Sequence, residues 1–266
     1  MRDRPIGVFD SGVGGLTVFK ALEERLPGEN LVYFGDTAHV PYGSKSPKAV
    51  ARYSVAVARF LARRGIKALV VACNTSSALA LPQIRQAVAV PVIGVIAPGA
   101  RAAAEASPSG RIGIIGTEAT IASGAYTREL SRRKPGLRVM AKACPLFVPL
   151  IEEGWWSDDV AWLVARRYLK DFHGSGIDTL ILGCTHYPLL KPVLRRVLGA
   201  KVLLIDSAEE TARETERHLA GLGRLRSGRG VRRDFYVSDG PDRFLGLARR
   251  FLGSGVKRVR LEQIDA

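Results

Sequence analysis

Two of the three cysteines in this chain, Cys73 and Cys184, sit in matching surroundings. Each closes an apolar, β-forming run and opens a polar one: Ala68-Leu69-Val70-Val71-Ala72-Cys73-Asn74-Thr75-Ser76-Ser77, and Thr179-Leu180-Ile181-Leu182-Gly183-Cys184-Thr185-His186. A packed core does not normally gather hydroxyl and amide groups beside a thiol. Two like thiols suit the inversion of a carbon stereocentre by proton transfer. That reaction needs a base on one face and an acid on the other, and the roles swap when it runs backwards. A free thiol titrates near about 8.5, so modest help brings it into working range. Nucleophilic catalysis would need only one such group. Cys144, in Ala143-Cys144-Pro145, lacks this setting and reads as structural.

Other groups could serve the same chemistry. Asp10 heads the glycine-rich run Asp10-Ser11-Gly12-Val13-Gly14-Gly15-Leu16, whose glycines permit close backbone approach to a ligand. It is not the dinucleotide fingerprint, because Thr17 stands where the last glycine belongs. Asp10 either hydrogen-bonds an amine or thiol, or caps a helix over Ser11–Leu26. Tyr42 and Gly43 lie in the turn-rich Pro41-Tyr42-Gly43-Ser44, where a tyrosine can meet a ligand although turn chemistry alone explains the Pro and Gly. Thr117 and Thr120 follow another strand-like run and are candidate donors to a carboxylate. His186, two residues after Cys184, can tune the thiol, orient substrate or simply pack. Glu152, in Glu152-Glu153-Gly154, is either a thiol's proton partner or a charged element end. His39, His173 and His218 have no such context and read as structural.

The elements that must position these groups alternate strand and helix. Strands are expected at Pro5–Phe9, Asn30–Phe34, Ala68–Ala72, Val92–Val95, Arg111–Ile115, Arg138–Ala141, Thr179–Leu182 and Lys201–Leu204. Helical spacing runs through Ser46–Arg64, which ends Arg63-Arg64-Gly65, and through Asp158–His173, where Ser157-Asp158 can cap the start and Gly174 follows the end. An internal repeat organises the chain. Gly65-Ile66-Lys67-Ala68-Leu69-Val70-Val71-Ala72-Cys73 aligns with Gly176-Ile177-Asp178-Thr179-Leu180-Ile181-Leu182-Gly183-Cys184 at a constant offset of 111 residues. Ile6-Gly7-Val8-Phe9 likewise matches Ile112-Gly113-Ile114-Ile115. The expectation is an α/β protein of two pseudo-symmetric domains with mainly parallel sheets. The thiols would lie at the carboxyl ends of equivalent strands, facing one cleft between the domains. Residues 1–97 with 208–266 are expected to form the first domain and 98–207 the second.

Composition narrows the class. None of the apolar runs in the 266 residues reaches the roughly 18–20 that a membrane span needs. The first residues lack the pattern of a secretory signal, so a soluble, cytoplasmic protein is expected, without a membrane partner. An odd, sparse cysteine set is a poor disulfide framework, and neither CxxC nor HExxH is present, so no metal is expected. The formal charge of +15, densest at Arg224, Arg226, Arg229, Arg232 and Arg233, attracts polyanions and anionic small molecules alike. No basic stripe interleaves with aromatics, so specific nucleic-acid binding is disfavoured against solvated helix faces.

Taken in order, Phe9-Asp10-Ser11-Gly12-Val13-Gly14-Gly15-Leu16, Pro41-Tyr42-Gly43, Ala72-Cys73-Asn74-Thr75, Cys144-Pro145-Leu146-Phe147-Val148-Pro149-Leu150 with Glu152-Glu153-Gly154, and Leu182-Gly183-Cys184-Thr185-His186-Tyr187-Pro188-Leu189-Leu190 closely resemble the glutamate racemases. The likeness spans most of the chain, and the two cysteine motifs are its most specific parts. It implies interconversion of L- and D-glutamate without cofactor or metal, supplying D-glutamate for peptidoglycan. It implies that Cys73 takes the α-proton of D-glutamate, assisted by Asp10, and Cys184 that of L-glutamate, assisted by Glu152 and His186. Asp10, Ser11, Tyr42, Gly43, Asn74, Thr75, Thr117, Thr120, Thr185 and His186 would line the substrate. Homodimers are common in the family, although no residue here fixes a mode of pairing. Aspartate or hydantoin racemisation, or a one-thiol decarboxylase on the same framework, stays open as an alternative reaction.

Overall fold

The computed structural model describes residues 1–228, 230–253, 256 and 258–264. It contains two parallel sheets. The first is built from β1 (Ile6–Asp10), β2 (Leu31–Gly35), β3 (Ala68–Val71) and β4 (Val92–Gly94). The second holds β5 (Arg111–Gly116), β6 (Arg138–Ala143), β7 (Thr179–Gly183) and β8 (Leu203–Asp206). The chain then returns to the first sheet with β9 (Arg233–Val237) and β10 (Arg260–Leu261). The strand orders are β10-β9-β2-β1-β3-β4 and β6-β5-β7-β8. Without the two returning strands, the first order superposes on the second: β1 matches β5, β2 matches β6, β3 matches β7 and β4 matches β8. This is the two-unit, pseudo-symmetric α/β architecture that the repeat implies.

Strands β1, β2, β3 and β7 are buried along their whole length. Helices cover both faces of such strands, which explains why they read as unbroken apolar runs. The helix Pro47–Arg63 covers one face of the first sheet, and Ser46 caps it by accepting from the Ala49 amide. One apolar core joins the units: Leu16, Phe19 and Phe235 of the first belong to the same cluster as Phe147, Leu180 and Tyr187 of the second. The helix Ser207–Gly221 packs on both Leu16–Arg25 and Ile96–Ala106, and so ties the two together.

Three expectations shift. The helix after β1 starts only at Leu16, with Gly15 at its cap, so Asp10 is not a helix cap. Residues 11–15 turn too tightly to join it. Strand β8 lies two residues later than expected. Strands β9 and β10 were not anticipated: β10 spans only two residues, and both sequences mix charge with apolar residues.

The dense arginine segment is engaged locally. Arg233 pairs with Glu23 at 2.9 Å, Arg232 with Asp234 at 3.3 Å, and Arg226 with Asp3 at 3.0 Å. Arg229 lies outside the described residues. Beneath them runs a buried ion pair between Lys67 and Glu29. Lys67 Nζ also donates to the carbonyls of Arg2 (2.7 Å) and Arg224 (3.0 Å), and Glu29 accepts from the Arg226 amide at 2.8 Å. The segment is thus anchored to the first sheet by charge-assisted hydrogen bonds.

Candidate active site

Cys73 follows β3 at the N-cap of the helix Asn74–Leu79, and its Sγ accepts from the Ser76 amide at 3.5 Å. A sulfur at a helix start faces unpaired amides and the positive end of the helix dipole. Ser11 Oγ lies 3.7 Å away. Burial nevertheless dominates, reinforced by the Asp10 charge, and pushes the thiol up to about 11. Asp10 is itself wholly buried, and burial raises its carboxyl above the ordinary range against the charge of His186 and hydrogen bonds from Gly12, Gly15 and Thr185.

Cys184 holds the equivalent place after β7 but has different company. His186 Nδ1 lies 3.8 Å from its sulfur, and His186 Nε2 lies 3.3 Å from Glu152 Oε1. Burial opposes charge on this imidazole, but Cys184 and Glu152 outweigh it and hold the pKa up to about 10. Glu152 is correspondingly lowered, chiefly by its hydrogen bond to His186. One thiol therefore has a buried carboxyl behind it, and the other an imidazolium–carboxylate pair.

Both sulfurs line one cleft, together with Ser11, Gly12, Tyr42, Gly43, Asn74, Thr75, Thr117, Thr185, His186 and Glu152. Its apolar walls, Val40, Pro41 and Val148, were missed in the sequence because such residues carry no chemical signature. Asp10 and Thr120 stand behind the wall. Thr120 Oγ1 lies 3.1 Å from Thr75 Oγ1 and 2.9 Å from Thr117 Oγ1, a hydroxyl cluster that bridges the two units. Thr185 Oγ1 donates to Asp10 at 3.4 Å, and Thr17 Oγ1 to the Thr185 carbonyl at 3.0 Å, a second bridge. Tyr42 donates to the buried Asp36 at 2.5 Å, and Ser238 does so at 2.7 Å, fixing the loop that carries Tyr42 and Gly43. Among the described residues, no group of three or more His, Cys, Asp or Glu side chains can hold a metal ion. Cys144 is buried outside the cleft, its thiol 3.7 Å from the Lys142 carbonyl.

One donor in this wall is unsatisfied. Asn74 is buried, its Oδ1 accepts from Tyr126 at 2.7 Å, and its Nδ2 has no hydrogen-bond partner among the described residues. An orphaned amide costs about 1–3 kcal/mol unless something fills it. Asn74 as a residue lines the cleft, which makes a bound carboxylate the natural group to meet that donor.

A family model described as Asp/Glu/hydantoin racemase matches residues 6–215. The chain belongs to this racemase family. Among its relatives is the glutamate racemase of Geobacter metallireducens, 53% identical over 264 residues, which are 99% of this chain and 98% of that one. The glutamate racemase of Thermus thermophilus is 52% identical over 98% of each. Two solved racemase structures carry the same fold. That of Francisella tularensis glutamate racemase, in complex with D-glutamate, has a TM-score of 0.93 at 38% identity, covering 100% of this chain and 98% of that one. That of the Thermus thermophilus enzyme in complex with β-chloro-D-alanine has a TM-score of 0.90 at 50% identity, with 98% of each chain covered.

No side chain fits at Gly14. A Cβ there would overlap His186 Nδ1 and Thr185 Oγ1 on the opposite unit. Gly14→Ala must push the Cys184 turn away. A displacement near 1 Å costs catalysis on the order of 10²-fold. The expected result is a loss of that order in kcat/KM with a cooperative melt retained; wild-type kinetics would show that the turn can yield freely.

Proposed function

We propose that this protein interconverts L- and D-glutamate without a cofactor, using Cys73 and Cys184 as opposed acid and base. The observation that carries this reading is one cleft lined by two buried thiols, each with its own proton partner behind it. Cys73 takes the α-proton of D-glutamate and Cys184 that of L-glutamate; the opposite thiol delivers a proton to the other face. A base must approach the basicity of the carbon acid it deprotonates, and a thiol pushed up to about 11 is better matched than an ordinary one. Asp10 assists Cys73 by exchanging and orienting its proton. His186 and Glu152 assist Cys184. Asn74, Thr75 and Thr185 supply donors to the substrate carboxylates, with Ser11, Tyr42, Gly43 and Thr117 completing the wall and Thr120 bracing it. Charge that builds on the α-carboxylate during deprotonation is stabilised by the hydroxyl donors of Thr75 and Thr185 where water is scarce, while Asn74 contributes to holding the substrate throughout.

The units are residues 1–97 with 208–266, and 98–207, a division supported by the membership of the two sheets. We place the enzyme in the cytoplasm, as a source of D-glutamate for peptidoglycan and within the family's habit of forming homodimers. Among the described residues no helix is long and apolar enough to cross a membrane.

The His186–Glu152 pair gives this reading a pH signature. The imidazole is raised from an ordinary 6.5 to about 10, so the stability it contributes is complete below about pH 6.5. That contribution drains away as pH rises through about 10. An NMR titration should find His186 protonated at pH 8, and Glu152→Gln should lower its pKa. A neutral His186 at pH 8 in the wild type would remove the imidazolium from the mechanism.

The activity itself is tested by proton NMR of L-glutamate in D₂O with metal-free, pyridoxal-free protein, alongside a chiral assay. Loss of the α-proton signal with formation of D-glutamate supports the reading. No exchange with either enantiomer, in folded protein with reduced thiols, overturns it; turnover of aspartate or a hydantoin instead would reassign the substrate.

A further inference from the structure

Tyr126 touches both thiol-bearing turns without entering the cleft. It lies at the start of the helix Ala125–Arg133 in the second unit and is 3% exposed. Its hydroxyl donates to Asn74 Oδ1 at 2.7 Å, on the residue directly after Cys73. Its ring packs over Gly183, the residue directly before Cys184. A Cβ at Gly183 would lie 2.6 Å from the Ile115 carbonyl oxygen, which requires glycine here, and 3.2 Å from Tyr126 Cε2, so the ring rests directly against this position. The amide orientation follows from the hydroxyl. With Oδ1 held by Tyr126, Nδ2 is the atom left without a partner. Without that bond the amide can rotate and present its oxygen to an incoming anion.

The geometry points to Tyr126 as a positioning residue that keeps the Asn74 amide donor-first toward a substrate carboxylate and registers the Cys73 turn against the Cys184 turn. The inference rests on the glutamate reading and adds to it a residue that none of the motifs contains. Tyr126 touches no substrate; it acts through Asn74. A donor turned away weakens substrate binding more than it slows proton transfer, so the effect belongs mainly in KM.

The test is a double-mutant cycle on D-glutamate racemisation with wild type, Tyr126→Phe, Asn74→Ala and the double variant. Phenylalanine keeps the ring on Gly183 and removes only the hydroxyl. Tyr126→Phe is expected to raise KM about tenfold, the size of one well-made hydrogen bond, with kcat within about a factor of two. Asn74→Ala should raise KM at least as much, and the double variant should be no worse than Asn74→Ala alone. A merely structural Tyr126 would instead add its full loss on the Asn74→Ala background. That additivity, or an unchanged KM in Tyr126→Phe beside an active wild type, overturns the role of Tyr126 while leaving the glutamate reading in place. A wild type inactive on glutamate overturns the reading, and the inference falls with it.

Discussion

Cys73→Ser and Cys184→Ser are each expected to lose racemisation by at least about 10³-fold, in the upper range of what a positioned acid or base contributes. The folds should survive. Cys73 caps its helix by accepting from the Ser76 amide, and a serine hydroxyl accepts in the same place. Serine fails as the base because its hydroxyl is far less acidic than a thiol. The two enantiomers have equal free energy in water, so kcat/KM must fall equally in both directions whichever thiol is lost. What should differ is exchange. With only Cys184 left, a proton taken from L-glutamate can return only to the face it left. In D₂O the Cys73→Ser variant should therefore exchange the α-proton of L-glutamate with retention, and Cys184→Ser that of D-glutamate. Full racemisation by either variant would sink the two-thiol mechanism; exchange on the opposite enantiomers would reverse the roles of the thiols.

The second large effect concerns stability. Lys67→Met is expected to destabilise the protein by about 3–5 kcal/mol, the cost of leaving a buried charge without its counter-ion. Among the described residues, Glu29 would keep the hydrogen bond from the Arg226 amide. In a chain of this size each kcal/mol moves the melting temperature by roughly 2–4 °C, so a drop of roughly 10 °C is the readout. Replacing both partners, Lys67→Met with Glu29→Leu, should recover part of it, since no charge is stranded although the Arg2 and Arg224 carbonyls still lose the Lys67 donor. Kinetics well below the melt should be unchanged, because the pair lies away from the cleft. A single variant that melts like the wild type would mean that water reaches Glu29 and solvates it.

Much of this architecture was legible in the amino-acid sequence because one physical signal wrote it twice. A parallel strand buried on both faces must be apolar throughout, and its ligand-facing end must turn sharply into a helix. The repeat around Cys73 and Cys184 carries the apolar mark twice, so the equivalence of β3 and β7 could be read directly, although a helix starts at once only after Cys73, and after Cys184 a turn and the 3-10 helix Tyr187–Leu190 come first. The polar side chains after each thiol were legible for the same reason. What was not legible lacks such a signal. Arg233-Asp234-Phe235-Tyr236-Val237 forms β9 because it finds the free edge of β2, a tertiary event that no local pattern announces. The glycine-rich turn after Asp10 looked like the first turn of a helix, since Asp is a good cap; close approach of Gly14 to the Cys184 turn decides its path instead. Tyr126 sits on an ordinary amphipathic helix, and only its neighbours reveal its use.

The return of β9 to the edge of β2 also bears on how the protein is made. The second sheet is complete once Asp206 has been synthesised, whereas β2 must wait for Arg233 to gain its outer neighbour. At about 5–20 residues per second, the ribosome needs on the order of 10–40 s to cover the intervening stretch of about 200 residues. Throughout that interval the nascent first sheet carries an open parallel edge, the feature most apt to recruit a second unfinished chain. Aggregation during expression should therefore respond to elongation rate and chaperone supply more than to the stability of the finished enzyme.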